Sequence, residues 1–146
     1  MRNPALEQII STLSIVTTGP GMTEFTAAVE SWLANISAGD GILTLFIRHT
    51  SASLTIQENA DPDVQADLID ALDTLAPQSS SYRHGCEGPD DMPAHIKSAI
   101  TSTSLTVPVQ SGRMLLGTWQ GLYVIEHRTR PHARNIALHF LGSVAA

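Results

Sequence analysis

The stretch Ile42–Ile47 reads ILTLFI and is apolar on both faces of an extended chain. Side chains alternate across a strand, so this run asks for cover on both sides and belongs inside a layered sheet, away from its edge. The rest of the chain is consistent with such a sheet. Helical and strand patterns alternate with no internal repeat, low-complexity stretch or long linker. At 146 residues the chain suits one domain and can remove roughly two thirds of its unfolded surface from water. The expectation is one α+β domain spanning residues 1–146.

Several elements are legible. Ile9–Thr18 is rich in β-branched residues and predicts a first strand, ended by Gly19-Pro20-Gly21. A short helix capped by Thr23 is expected next, because Phe25, Val29, Trp32, Leu33 and Ile36 recur at helical spacing. After Ile42–Ile47, a strand at Ser53–Gln57 precedes a helix opened by Asp61-Pro62, with Val64, Leu68, Leu72 and Leu75 on its buried face. Pro93 starts a helix to about Ile100. Strands follow at Leu105–Val109, Arg113–Gly117, Leu122–Arg128 and Asn135–Leu141. Pro108 has no N–H for a ladder and indicates a sheet edge.

Eight basic against fourteen acidic residues leave a net charge of −6, which repels a nucleic-acid backbone. Nucleic acid is therefore not an expected partner. The single cysteine, Cys86, has no internal partner, and the start MRNPALEQII lacks the pattern of a signal peptide. No apolar run approaches the ~20 residues of a membrane span. A cytoplasmic location without membrane contact is expected.

Chemistry concentrates between Tyr82 and His95, where YRHGCEGPDDMPAH packs two histidines and three carboxylates into a turn-rich segment. Such residues offer little to an apolar core, and loops on a rigid scaffold are where binding and catalytic groups gather. His49, at a strand end, could converge with His84 and His95. Three imidazoles with an open fourth position would make a catalytic zinc site, although no HxxxH or CxxC spacing requires it and three unrelated polar histidines remain the alternative. Asp90 and Asp91 could orient ligand imidazoles or bind the metal themselves, or simply serve the following helix as caps and favourable charges at its N-terminus. Glu58, at the end of an apolar strand, is the better candidate acid or base, whereas Asp61 is explained locally as a cap.

Positive charge is concentrated only in Glu126-His127-Arg128-Thr129-Arg130-Pro131-His132-Ala133-Arg134. Guanidinium groups here suit phosphate or carboxylate, against the alternative of a solvated hairpin tip. Glu126 shares parity with Leu122 and Val124 and points toward an apolar side, where a carboxylate needs a partner. His139 falls on the face opposite Ile136, Leu138 and Phe140, toward solvent or a subunit contact. The hydroxyls of Thr50, Ser51 and Ser53 could cradle an anion or act as turn donors. Trp119 and Gln120 suit a pocket wall or a subunit contact.

The strings HTSASLTIQENADPDVQADL, EGPDDMPAHIK and GRMLLGTWQGLYVIEHRTRPHAR strongly resemble the YjbQ-like family, also called the secondary thiamine-phosphate synthase family. The resemblance spans nearly the whole chain. It implies an α+β fold with a β-sandwich core flanked by helices, a homotrimer, a metal-bearing histidine cluster and a modest thiamine-phosphate synthase activity. By motif match, His49, His84 and His95 would be the metal histidines, with Glu58, Asp61, Asp91 and Glu126 near them as catalytic candidates. Cys86 departs from the family pattern, which argues against a common thiol mechanism.

The implied reaction joins a pyrimidine-methyl diphosphate to a thiazole phosphate and releases pyrophosphate. A divalent metal, zinc before magnesium, with Arg128, Arg130 and Arg134 on phosphate oxygens, suits those demands. The chain is too short for the TIM barrel that usually performs it, which takes ~200 residues or more. Two expectations therefore stand: a metal-dependent enzyme acting on phosphorylated heterocycles, and a non-catalytic trimeric module binding a metal or an anionic metabolite.

Overall fold

The computed structural model describes residues 5–79 and 81–145. Strand-forming segments pair into two antiparallel sheets. The larger has the order β1 (Glu7–Thr17), β8 (His132–Val144), β3 (Ala38–Ile47), β5 (Ser104–Gln110) and β6 (Arg113–Met114). The smaller has the order β2 (Gly21–Glu24), β7 (Gln120–Glu126) and β4 (Ala52–Glu58). Helices α1 (Thr26–Asn35), α2 (Pro62–Leu75) and α3 (Asp91–Ile100) complete the α+β domain.

The core forms where alternating side chains of both sheets meet. Leu43, Leu45 and Ile47 of β3 and Ile136, Leu138 and Phe140 of β8 join Leu54 of β4 and Leu122 and Val124 of β7. Helix α1 adds Val29 and Leu33, with Phe25 just ahead of it, as the helical spacing predicts. Trp32 and Ile36 pack partly buried at its margin. Where β3 meets β8 the backbones approach closely, and a Cβ at Gly142 would lie 2.3 Å from the Asp40 carbonyl oxygen. Only glycine fits that approach.

Four local expectations are corrected. Thr23 lies in β2, because Gly21–Glu24 finds ladder partners at Tyr123–Glu126, and helix α1 starts at Thr26 without a side-chain cap. The run Ile42–Ile47 is central, between β8 and β5, yet it is covered on one face only: Ile42 and Phe46 are 42% and 47% exposed. Helix α2 buries none of its residues fully, and Leu75 is exposed. The strand expected at Arg113–Gly117 contracts to two residues. Pro108 does lie near an edge, since β6 pairs only with Val109 and Gln110.

This topology sets up the site. The end of β3, the start of β4, the end of β7 and the start of β8 come together, with Ala52 opposite Glu126 and Thr17 opposite His132. Glu58, at the other end of β4, pairs with Gln120.

Candidate metal centre and adjoining recess

Helix α3 begins at Asp91, two residues before Pro93. Asp91 and His95 therefore sit four apart on one helix face, and the turn segment brings His84 to the same place. His84 Nε2 lies 2.6 Å and His95 Nε2 3.1 Å from Asp91 Oδ2. One ligand atom from each residue falls within 4.8 Å of the others. The two rings meet edge to face at 5.5 Å.

The carboxylate is held from behind. Arg128 Nη1 lies 2.9 Å from Asp91 Oδ1, its Nε donates to Asp90 Oδ2 at 2.9 Å, and its Nη2 donates to the Glu87 carbonyl at 3.0 Å. Asp90 Oδ2 also accepts from the backbone and hydroxyl of Thr129. Burial alone would raise the pKa of Asp90, but the bonds from Arg128 and Thr129 outweigh it and bring it down to about 2. Asp91 is likewise held below the usual carboxylate range: burial opposes its charge, while His84, His95 and Arg128 favour it. Neither aspartate side chain caps α3, although Asp91 stands in its first turn.

His95 carries a further constraint. Its Nδ1 lies 2.9 Å from the Thr50 carbonyl oxygen. A carbonyl only accepts, so Nδ1 carries the hydrogen and the neutral ring turns a bare Nε2 lone pair toward Asp91 Oδ2. Two acceptors face each other at 3.1 Å. That arrangement requires either a second proton on the ring or a cation between the two atoms.

His49 stands apart from this cluster. Its Nε2 accepts the backbone N–H of Asn135 at 2.8 Å, so in the neutral ring Nδ1 is the donor. Burial, followed by the charge of Arg134, lowers its pKa. His49 and His95 nevertheless share a recess of about 500 Å³ between the end of β3 and α3. A smaller recess of about 300 Å³ opens beside His84, Tyr82 and Gly88.

The remaining predicted residues separate into distinct roles. Glu126 is 1% exposed and bonded on both oxygens: Thr17 Oγ1 and Arg134 Nε donate to Oε1 at 2.6 and 2.8 Å, and the Arg128 backbone and Arg134 Nη2 donate to Oε2. Burial would raise its pKa, but the bonds from Arg134 and Thr17 bring it down. Arg134 Nη2 also reaches the carbonyl and hydroxyl of Ser51. Arg128 and Arg134 are thus committed to internal carboxylates and do not present free phosphate ligands. Ser53 is buried against His127 and Thr101. Arg130 is exposed and makes no side-chain hydrogen bond or ion pair among the described residues.

Glu58 and Asp61 lie away from the cluster. Glu58 Oε2 accepts from the Asp61 backbone, and Asp61 Oδ1 accepts from the Asp63 backbone as the cap of α2. Trp119, 63% exposed, lies at that same end, where its carbonyl accepts from Asn59. His139 is partly buried, its Nε2 3.1 Å from Gln8 Oε1. Cys86 is exposed and outside the ligand set.

The family model for "UPF0047 protein YjbQ-like" matches residues 11–143. The chain belongs to the YjbQ-like UPF0047 family. Among relatives of this YjbQ-like protein, the UPF0047 protein sll1880 of Synechocystis is 48% identical over 133 residues, covering 90% of each chain. The UPF0047 protein YugU of Bacillus subtilis is 36% identical over 135 residues, covering 92% of this chain and all of that one. A solved structure of an uncharacterized conserved protein of the same family from Clostridium acetobutylicum superposes with a TM-score of 0.79 at 32% identity, covering 90% of this chain and 98% of that one. A YbjQ-like protein of unknown function from Sulfolobus solfataricus shares the fold, with a TM-score of 0.83 at 20% identity over 94% of this chain and 100% of that one.

Two features escaped the sequence reading. The Asp91-x-x-x-His95 spacing signals one helical face once the helix is started at Asp91. Extending the inward parity of Phe140, Leu138 and Ile136 back by two residues marks Arg134 as inward too.

Proposed function

We propose that this YjbQ-like protein is a cytoplasmic, metal-dependent enzyme acting on phosphorylated heterocycles, with His84, Asp91 and His95 holding a divalent ion, zinc in preference to magnesium. The observation that carries the reading is the convergence of His84, Asp91 and His95, whose ligand atoms lie within 4.8 Å of one another. With Nδ1–H committed to the Thr50 carbonyl, Nε2 offers a lone pair beside an ionised carboxylate, the second-shell arrangement that orients ligand imidazoles. Two imidazoles and one carboxylate form a donor set suited to zinc, with a coordination position left for substrate.

A bound divalent ion would supply Lewis-acid stabilisation to phosphate oxygens. The protein's own groups do the positioning. Arg128 fixes Asp91 through Oδ1 and leaves Oδ2 facing the histidines. The Thr50 carbonyl fixes the His95 ring, and the Glu126–Arg134 pair holds the strand ends together. Recesses on the His95 and His84 sides favour an enzyme handling a substrate over a closed structural site.

Thiamine-phosphate synthesis is the candidate reaction. Glu126 has no free oxygen for proton transfer and Glu58 lies at the other end of β4, so neither is retained as its acid or base. The assay is thiamine-phosphate formation from the two phosphorylated precursors with zinc-loaded protein. The reading expects formation by wild type and loss in His95→Ala. Equal formation by that variant would remove the cluster from catalysis. A non-catalytic metal- or anion-binding module is the reading favoured if wild type binds zinc but forms no product.

A homotrimer is part of the same proposal. The outer face of the larger sheet exposes Ile10, Val16, Ile42 and Leu141, and apolar patches of this kind commonly mark subunit contacts.

A further inference from the structure

We infer that the recess between the end of β3 and α3 is the anion subsite of this protein, with Arg48 as its charged anchor, and that it takes a phosphate monoester bearing an apolar or aromatic body. The inference rests on the proposed function for its place beside the metal centre, but not for its chemistry. The recess measures about 500 Å³ and contains His95, so an occupant would lie next to the cluster. Its polar lining is made of Arg48, His49, Thr50, Ser98 and Thr103, with no carboxylate among the lining residues. In a chain of net charge −6, such a lining favours an anion.

Two details give it direction. Arg48 is exposed and makes no side-chain hydrogen bond or ion pair among the described residues, unlike Arg128 and Arg134, whose guanidinium groups are bound to Asp90, Asp91 and Glu126. A guanidinium with unspent donors matches phosphate oxygens. The Asn135 N–H occupies His49 Nε2 and thereby makes Nδ1 a hydrogen-bond donor in the neutral ring. Phe46, 47% exposed, and Ala99 supply an apolar wall for the body of the ligand. The phosphate-binding role expected of Arg128 and Arg134 thus passes to Arg48.

Phenyl phosphate is a suitable probe, titrated by calorimetry into the 146-residue chain stripped of metal with EDTA, so that a metal-bound phosphate cannot contribute. Arg48→Met, at an exposed position, should weaken binding by about 10- to 100-fold, the range of a lost charge-assisted bond, while Arg113→Met, an exposed arginine on β6 outside the recess, binds like wild type. Zinc titrations of the same proteins form the second arm. Wild-type affinity in Arg48→Met, no binding by wild type, or an equal or larger loss in Arg113→Met would each overturn the inference. Failure of wild type to take up zinc while Arg48→Met still loses phenyl phosphate would refute the metal reading and uphold this one.

Discussion

Mild acidification should destabilise this protein through His127. His127 is 5% exposed, with Nε2 2.9 Å from Ser53 Oγ, which is itself 2.6 Å from Thr101 Oγ1. Burial, then the charge of Lys97, brings its pKa from the usual 6.5 down to about 4; Arg134 acts in the same direction, and Glu126 and Asp73 oppose it. The unfolded chain therefore binds a proton between those values that the folded chain refuses, and stability falls as pH drops from 6.5 toward 4. At 1.36 kcal/mol per unit, the loss is about 2 kcal/mol by pH 5 and about 3 kcal/mol at the low-pH limit. The assay is urea unfolding followed by circular dichroism between pH 7 and 5, at fixed protomer concentration, for wild type and His127→Gln. His49, whose pKa is also lowered, adds the same slope to both proteins and cancels in the comparison. The variant should be flatter by about 2 kcal/mol over this range. Parallel curves would refute the reasoning, whatever the variant's stability at neutral pH.

Three further perturbations address other parts of the structure. Glu126→Gln leaves buried Arg134 without its counter-charge and should cost about 3–5 kcal/mol in urea unfolding; a loss below about 1 kcal/mol would show that the pair is not structural. Asp61→Ala removes the cap of α2 and should cost about 1 kcal/mol with zinc stoichiometry unchanged, whereas lost zinc would return Asp61 to the site. Leu141→Lys puts a charge beside Ile42 on the open sheet face, and, if the proposed trimer uses that face, light scattering should show a lower mass than for wild type; an unchanged mass would place the contact elsewhere.

What could be read from the sequence follows the range of the interactions involved. The stripe Phe25, Val29 and Leu33 and the inward set Ile136, Leu138 and Phe140 are periodic, and periodicity is a local signal. His84 and His95 were legible because both fall in one short turn-rich segment, but Asp91 joins them on one helix face only when the helix starts at Asp91, two residues before Pro93. His49 was not separable from them: its partner, the Asn135 N–H, is 86 residues away. The same holds for Arg128, whose anchors Asp90 and Asp91 lie across the fold, so a committed guanidinium read as a free one. Ile42 and Phe46 misled for a different reason. An apolar side chain on a strand asks for cover, and pattern alone does not tell whether the same chain or another copy supplies it. Thr23 is a good cap by residue type, but the ladder with β7 outweighs that local preference.

Zinc titration of metal-free protein by calorimetry, with wild type, His84→Ala, His95→Ala and His49→Ala measured side by side, tests the central claim most directly. The structure predicts one site per protomer in wild type, strong loss of affinity in His84→Ala and His95→Ala, and a retained site in His49→Ala. Unchanged zinc binding in the first two variants, or loss confined to His49→Ala, would contradict the assignment of the His84–Asp91–His95 cluster as the metal centre.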